Sequence, residues 1–168
     1  MEGTTQSLPR AGAVLRQGAW SGEALDVVRL DFDARSRRRL VLTCEGGLSI
    51  LLDLPRPSAL EEGDALKLDD SRLVAVQAAA EELLEVRCGT EAALVRVAWH
   101  LGNRHLPTEI AEEALYIRYD HVIEEMLQGL GAETNRVSRP FQPERGAYAG
   151  GHSHGHSHSH SHEDASHG

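Results

Sequence analysis

Cysteine is scarce in this chain of 168 residues, which excludes two kinds of scaffold. Cys44 and Cys88 are its only cysteines, and they stand far apart, outside any Cys-x-x-Cys spacing. A disulfide framework or a cysteine-rich zinc site needs more cysteines than this. Two free thiols are instead typical of a reducing compartment, and we expect both residues to occupy buried core positions.

Long apolar runs, lysine and aromatic residues are scarce as well. No stretch approaches the ~20 apolar residues of a membrane span, and the N-terminus lacks the apolar run of a secretory signal. We therefore expect a cytoplasmic protein with no membrane partner. Lys67 is the only lysine, and the net charge of −9 argues against a nucleic-acid partner. With aromatic residues at 4%, the core must rest on aliphatic side chains.

Two successive sequence patterns indicate two domains. Residues 24–78 carry short apolar segments separated by turn residues, which is typical of a small barrel or sandwich. From residue 82 onwards, strand and helix patterns alternate, with Thr90 and Asp120 as the expected N-caps of two helices. This order is typical of a ferredoxin-like unit. We predict an α+β fold made of an all-β domain (1–78), a ferredoxin-like domain (79–146) and a disordered histidine-rich tail (147–168).

Basic residues concentrate at one point of the first domain, at Arg35, Arg37, Arg38 and Arg39. The segment is predicted to be a solvated polar turn between two strands. Its alternative role is a docking patch for an acidic partner.

The C-terminal tail predicts metal binding. Seven of the ten histidines lie in the last 18 residues, and six of them alternate strictly with Ser or Gly. Alternate residues of an extended chain point the same way, so neighbouring imidazoles can close on one ion. Imidazole suits Ni(II), Cu(II) and Zn(II). The candidate ligands of the tail are His152, His154, His156, His158, His160 and His162.

Three further candidate ligands, His100, His105 and His121, fall in the second predicted domain. A lone histidine is more often structural, but a metal-binding tail makes a second metal site more useful. His121 and Glu124 share one helix face, yet the further glutamates of a di-metal carboxylate centre are not recognisable. No nucleophile elbow, phosphate loop or dinucleotide fingerprint occurs either, so we expect no enzyme.

The histidines belong to a recognisable motif. The segment His-Leu-Gly-Asn-Arg-His-Leu-Pro at residues 100–107, followed by Tyr119-Asp120-His121-Val122 and a histidine-rich end, resembles the urease accessory protein E family of nickel metallochaperones. Gly-Asn-Arg-His is the most specific part. Regions 37–40 and 61–64 fit more loosely.

The resemblance implies a function that the residues alone do not give. It implies a homodimer formed through the second domain, with His105 of both copies as the principal nickel ligand and the tail adding further ligands. Ni(II) would pass to a urease accessory GTPase and onward to apo-urease. The first domain is similar to a peptide-binding domain of heat-shock co-chaperones, which implies partner docking. Some members carry a second histidine where this chain has Tyr119.

Other functions remain open on sequence grounds. A general nickel or zinc store would hold metal in the tail without specific delivery. A metal-dependent enzyme would show turnover once loaded with metal. A folding helper would use its β domain to bind peptides, with metal only regulating it. By the Irving–Williams order, Cu(II) should bind the same imidazoles more strongly than Ni(II).

Overall fold

The computed structural model describes residues 7–145, which form two β-sheets with three helices. The predicted tail, with its six alternating histidines, lies outside the described residues. Within the described range, no helix is long and apolar enough to cross a membrane.

The first sheet has six strands in the order β2-β6-β5-β1-β4-β3. Its strands are β1 (Arg10–Leu15), β2 (Asp26–Leu30), β3 (Arg39–Thr43), β4 (Ser49–Asp53), β5 (Ala65–Leu68) and β6 (Leu73–Ala78), with the short helix α1 (Phe32–Arg35) between β2 and β3. The β1–β4 and β2–β6 pairs are parallel and the other pairs are antiparallel. Alternate residues of β6 face an almost wholly aliphatic core, as expected for a β domain with few aromatic residues.

The second sheet has four strands in the order β10-β7-β9-β8, and all its pairs are antiparallel. The elements run β7 (Ala80–Arg87), α2 (Glu91–Asn103), β8 (Glu109–Ile110), β9 (Leu115–Arg118), α3 (His121–Gly129) and β10 (Glu133–Pro140). This β-α-β-β-α-β order confirms the ferredoxin-like prediction. Both predicted caps are confirmed, since Thr90 Oγ1 accepts from Ala93 N at 3.2 Å and the Asp120 carboxylate accepts from Val122 N at 2.8 Å.

Helix α1 joins the two domains and corrects the prediction for Arg35. This arginine is only 4% exposed, and its guanidinium donates to the carbonyl groups of Leu60 and Phe141. The Phe32 ring meets the Phe141 ring edge to face, 5.4 Å between centroids. The single turn of α1 directs Arg35 inward, where one carbonyl group from each domain accepts its terminal N–H groups, while its buried Nε has no partner among the described residues. Residues 37–39 are exposed, as predicted.

The two cysteines differ in burial. Cys44 is 3% exposed in the first core, as predicted, and burial, assisted by the charge of Asp26, raises the pKa of its thiol to about 11. Cys88 follows β7 and is only partly buried, so the prediction of a fully buried position was wrong for it. It lies where the sheet ends, which leaves one side of its side chain uncovered.

Candidate metal site

The C-terminal turn of α2 builds the most distinctive feature of the second domain. The helix ends at Asn103, and two backbone hydrogen bonds close its end: His105 N to Gly102 O at 3.0 Å, and Leu106 N to Leu101 O at 3.3 Å. This pair of bonds defines a Schellman motif, with His105 at the position that normally carries glycine.

His105 adopts a left-handed backbone conformation, with φ of +55°. A side chain with a Cβ is strained there, and non-glycine residues in this region concentrate at functional sites. Leu101 is fully buried and Leu106 packs on the same core, so the backbone is held on both sides of the histidine. The imidazole itself is exposed. The turn therefore presents one accessible nitrogen ligand from a fixed point of the backbone.

A cleft of about 620 Å³ opens beside His105, between the two domains. Its walls include Phe32 and Arg35 from α1 and Leu60 from the first domain. Arg145, the last described residue, also lines it. The chain thus leaves the described region, towards the tail, from the cleft that contains His105.

His100 lies in the last turn of α2 and is half-buried. Its ring packs edge to face on the ring of Trp99, 5.1 Å between centroids, and its carbonyl accepts from the Arg104 guanidinium at 3.2 Å. The ring contact gives the His100 imidazole a structural role, whereas the hydrogen bond at the helix end is made by its backbone carbonyl. His100 therefore has a structural explanation that His105 lacks.

Sequence reasoning missed Trp99. This residue and Val95 are one helical turn apart on α2 and are 62% and 68% exposed. Large apolar side chains this exposed on neighbouring helix positions are typical of an interaction surface. Their positions in the sequence could have indicated this exposure. Leu94, Val97 and Leu101 form the face of α2 that packs on the core, and Val95 and Trp99 lie on a different face.

His121 begins α3 and is exposed, directly after the cap residue Asp120. It is not among the residues that line the cleft beside His105. Nor do the described residues bring three or more His, Cys, Asp or Glu side chains together in a metal-holding arrangement. Any tight site based on His105 therefore needs ligands from outside the described residues or from a second chain.

The fold and this site together define a class: a two-domain protein in which a β domain accompanies a ferredoxin-like domain with one exposed, backbone-fixed histidine. The family model described as UreE urease accessory protein, N-terminal domain, matches residues 7–79, and the one described as UreE urease accessory protein, C-terminal domain, matches residues 81–167. The chain belongs to the UreE family of urease accessory proteins.

Proteins named urease accessory protein UreE are similar along most of the chain. The one from Bradyrhizobium sp. (strain ORS 278) is 58% identical over 83% of this chain and 67% of its own length. The one from Rhodopseudomonas palustris (strain BisB18) is 58% identical over 83% of this chain and 66% of its own length. The one from Beijerinckia indica is 52% identical over 84% of this chain and 82% of its own length. The chain thus spans about two thirds of the length of the first two relatives.

Proposed function

We propose that this chain is a cytoplasmic nickel metallochaperone, which binds Ni(II) through His105 and tail histidines and delivers it to apo-urease through a urease accessory GTPase. The observation that carries the proposal is His105: an exposed imidazole at a strained backbone position, in a chain of the UreE family. Nickel is cargo here, so the site must release the ion as well as bind it.

Dimerisation supplies the second ligand in this proposal. A two-fold axis beside His105 brings two identical imidazoles together without any further residue type. Val95 and Trp99 provide the apolar surface for a second copy, because they lie on α2, the helix that leads into the turn of His105. Burying them against a partner removes the largest exposed apolar side chains of that helix from water.

The tail supplies further ligands. His152 follows Arg145 by seven residue steps, so an extended chain reaches at most roughly 25 Å from the cleft wall. His105 lines the same cleft, so the first tail imidazoles lie within reach of it. Two interface imidazoles leave coordination positions that tail histidines can fill and then vacate during transfer. His100 and His121 remain auxiliary candidates.

Nickel calorimetry on four proteins tests the binding site. The full chain and a chain ended after Gly150 are titrated with nickel, each with and without His105→Ala. We expect one tight nickel per dimer in both parent chains, lost in both alanine variants. His121→Ala is the matched control and should keep the tight site.

The same titration separates delivery from storage. Seven histidines in the last 18 residues favour a reservoir as the second candidate function. If tight nickel binding is lost when the tail is removed but is unchanged by His105→Ala, the protein is a reservoir and the proposed site is wrong. Activation of urease at limiting nickel then tests delivery: a carrier predicts loss of activation in His105→Ala. Cu(II) and Zn(II) are expected to compete for the same imidazoles.

A further inference from the structure

Strand β3 forms an open edge of the first sheet. In the described part of the chain, β4 is its only strand neighbour. Cys44 N donates to Leu48 O at 2.8 Å, and Leu54 N donates to Arg38 O at 3.0 Å. Residues of an antiparallel strand alternate between bonded and non-bonded pairs. The backbone groups of residues 39, 41 and 43 therefore face away from β4.

These outward groups have no hydrogen-bond partner among residues 7–145. The next residue in the alternation, Glu45, donates its N–H to Val27 O of β2 at 2.8 Å. Immediately beyond β3, the outward backbone groups of the chain therefore already form a hydrogen bond to another strand, β2. The open edge between Arg39 and Thr43 is long enough for one further short strand.

The open edge begins in a cluster of unpaired positive charge. Arg37, Arg38 and Arg39 are exposed, and none of them forms an ion pair within the described range. Asp53, which lies across from Arg39 in the register, is bound instead by Arg10 at 3.0 Å. Three adjacent free guanidinium groups in a chain of net charge −9 create a local positive field that attracts acidic groups.

Charged residues on an edge strand also serve to prevent aggregation. Val41 does not fit that role, because it is a β-branched apolar side chain, 57% exposed, in the middle of the open edge. A protective edge would place charge there. The open edge thus combines free backbone groups, an exposed valine and basic residues at its beginning. These features are typical of strand addition, in which backbone hydrogen bonds give affinity and alternate side chains give specificity.

We propose that the open edge of β3 binds an extended acidic segment of a partner protein by strand addition, with the partner's carboxylates over Arg37, Arg38 and Arg39 and an apolar residue over Val41. The open edge contains no histidine and does not lie in the domain of His105, so we expect peptide binding there to be independent of nickel.

A short, blocked, fluorescent peptide of alternating glutamate and valine is the probe, added to the full chain and followed by anisotropy. We expect binding that weakens with salt, and no binding of the lysine–valine counterpart. Amide exchange in the complex should show new protection at residues 39, 41 and 43. Equal binding of both peptides, or binding without that protection, would overturn strand addition. Protection of those amides without peptide, growing with protein concentration, would assign the edge to a second copy instead.

Two sets of variants test the contacts separately. Val41→Pro removes one outward N–H without breaking a bond to β4, and edge strands tolerate proline. It should abolish binding, while Val41→Thr keeps the N–H and should retain it. Changing Arg37, Arg38 and Arg39 together to Ser should weaken binding roughly tenfold, because exposed ion pairs are individually weak. Arg56→Ser, at another exposed arginine, is the control. Circular dichroism verifies folding, and an unaltered affinity in a folded triple variant refutes the charge assignment.

Discussion

Replacing His105 by glycine should stabilise the metal-free protein while removing its proposed nickel ligand. At φ of +55° a residue with a Cβ is strained by about 1–2 kcal/mol, which glycine avoids. Glycine also gains freedom in the unfolded chain, which offsets about 0.4–1 kcal/mol of that relief. The expected net gain is about 0.5–1 kcal/mol in the free energy of unfolding. For a chain of this size, it raises the melting temperature by about 2 °C.

Differential scanning calorimetry of chelator-treated protein measures this shift. Ser71→Gly is the matched control, because Ser71 is the other non-glycine residue with positive φ in the described range, at +70°, in the turn between β5 and β6. It should raise the melting temperature similarly and leave nickel binding intact. His105→Ala should lose nickel without any rise, because alanine keeps the strain. If His105→Gly melts at or below the parent while Ser71→Gly melts above it, His105 is not a strained position and the reasoning fails.

Four other predictions follow from burial and exposure. Trp99→Glu should turn the proposed dimer into monomers in sedimentation experiments, because it places charge in the apolar surface; a dimer that persists would place the interface elsewhere. Arg35→Met should cost about 2 kcal/mol in urea unfolding, since two buried carbonyl groups lose their donor, whereas exposed Arg37→Met should change little. Iodoacetamide should modify Cys88 before Cys44. The raised pKa of folded Cys44 should also make stability fall as pH rises from about 9 towards 11, because the unfolded chain loses the thiol proton first; a flat profile in Cys44-containing protein would contradict this.

Local signals made most of the second domain predictable. Thr90 and Asp120 are good caps, and the apolar periodicity after each places a helix between strands, which leaves few topologies other than the ferredoxin-like one. Strand β1 was not predicted, because it contains Gly12 and two alanines and so lacks the large β-branched pattern of a strand. Its pairing with β4 and β5 is a tertiary effect that no local window contains.

The burial of Arg35 was missed for a related reason. A run of arginines indicates a solvated turn unless the acceptors that compensate a buried guanidinium are known. Those acceptors are carbonyl groups at residues 60 and 141, the second of them 106 positions further along the chain. The contact between the domains brings the second of them to α1.

The sequence identified His105 as a candidate ligand but could not give its conformation. Helix α2 continues through Gly102 and Asn103, and the left-handed position falls on the histidine. In this turn Leu106 packs on the same core as Leu101, a contact between positions that commonly accompanies a Schellman motif.

This arrangement suits a carrier better than a storage site. The buried Leu101 and the partly buried Leu106 on either side of His105 hold the backbone still, so the imidazole needs little ordering when it binds a metal. Within residues 7–145, a single such ligand also cannot close a coordination shell, unlike a four-thiolate structural zinc site. Any nickel held there keeps positions open to ligands from the tail or a receiving protein. The strained turn therefore reconciles two demands on the proposed chaperone: a defined place to bind the ion and an incomplete shell from which to release it.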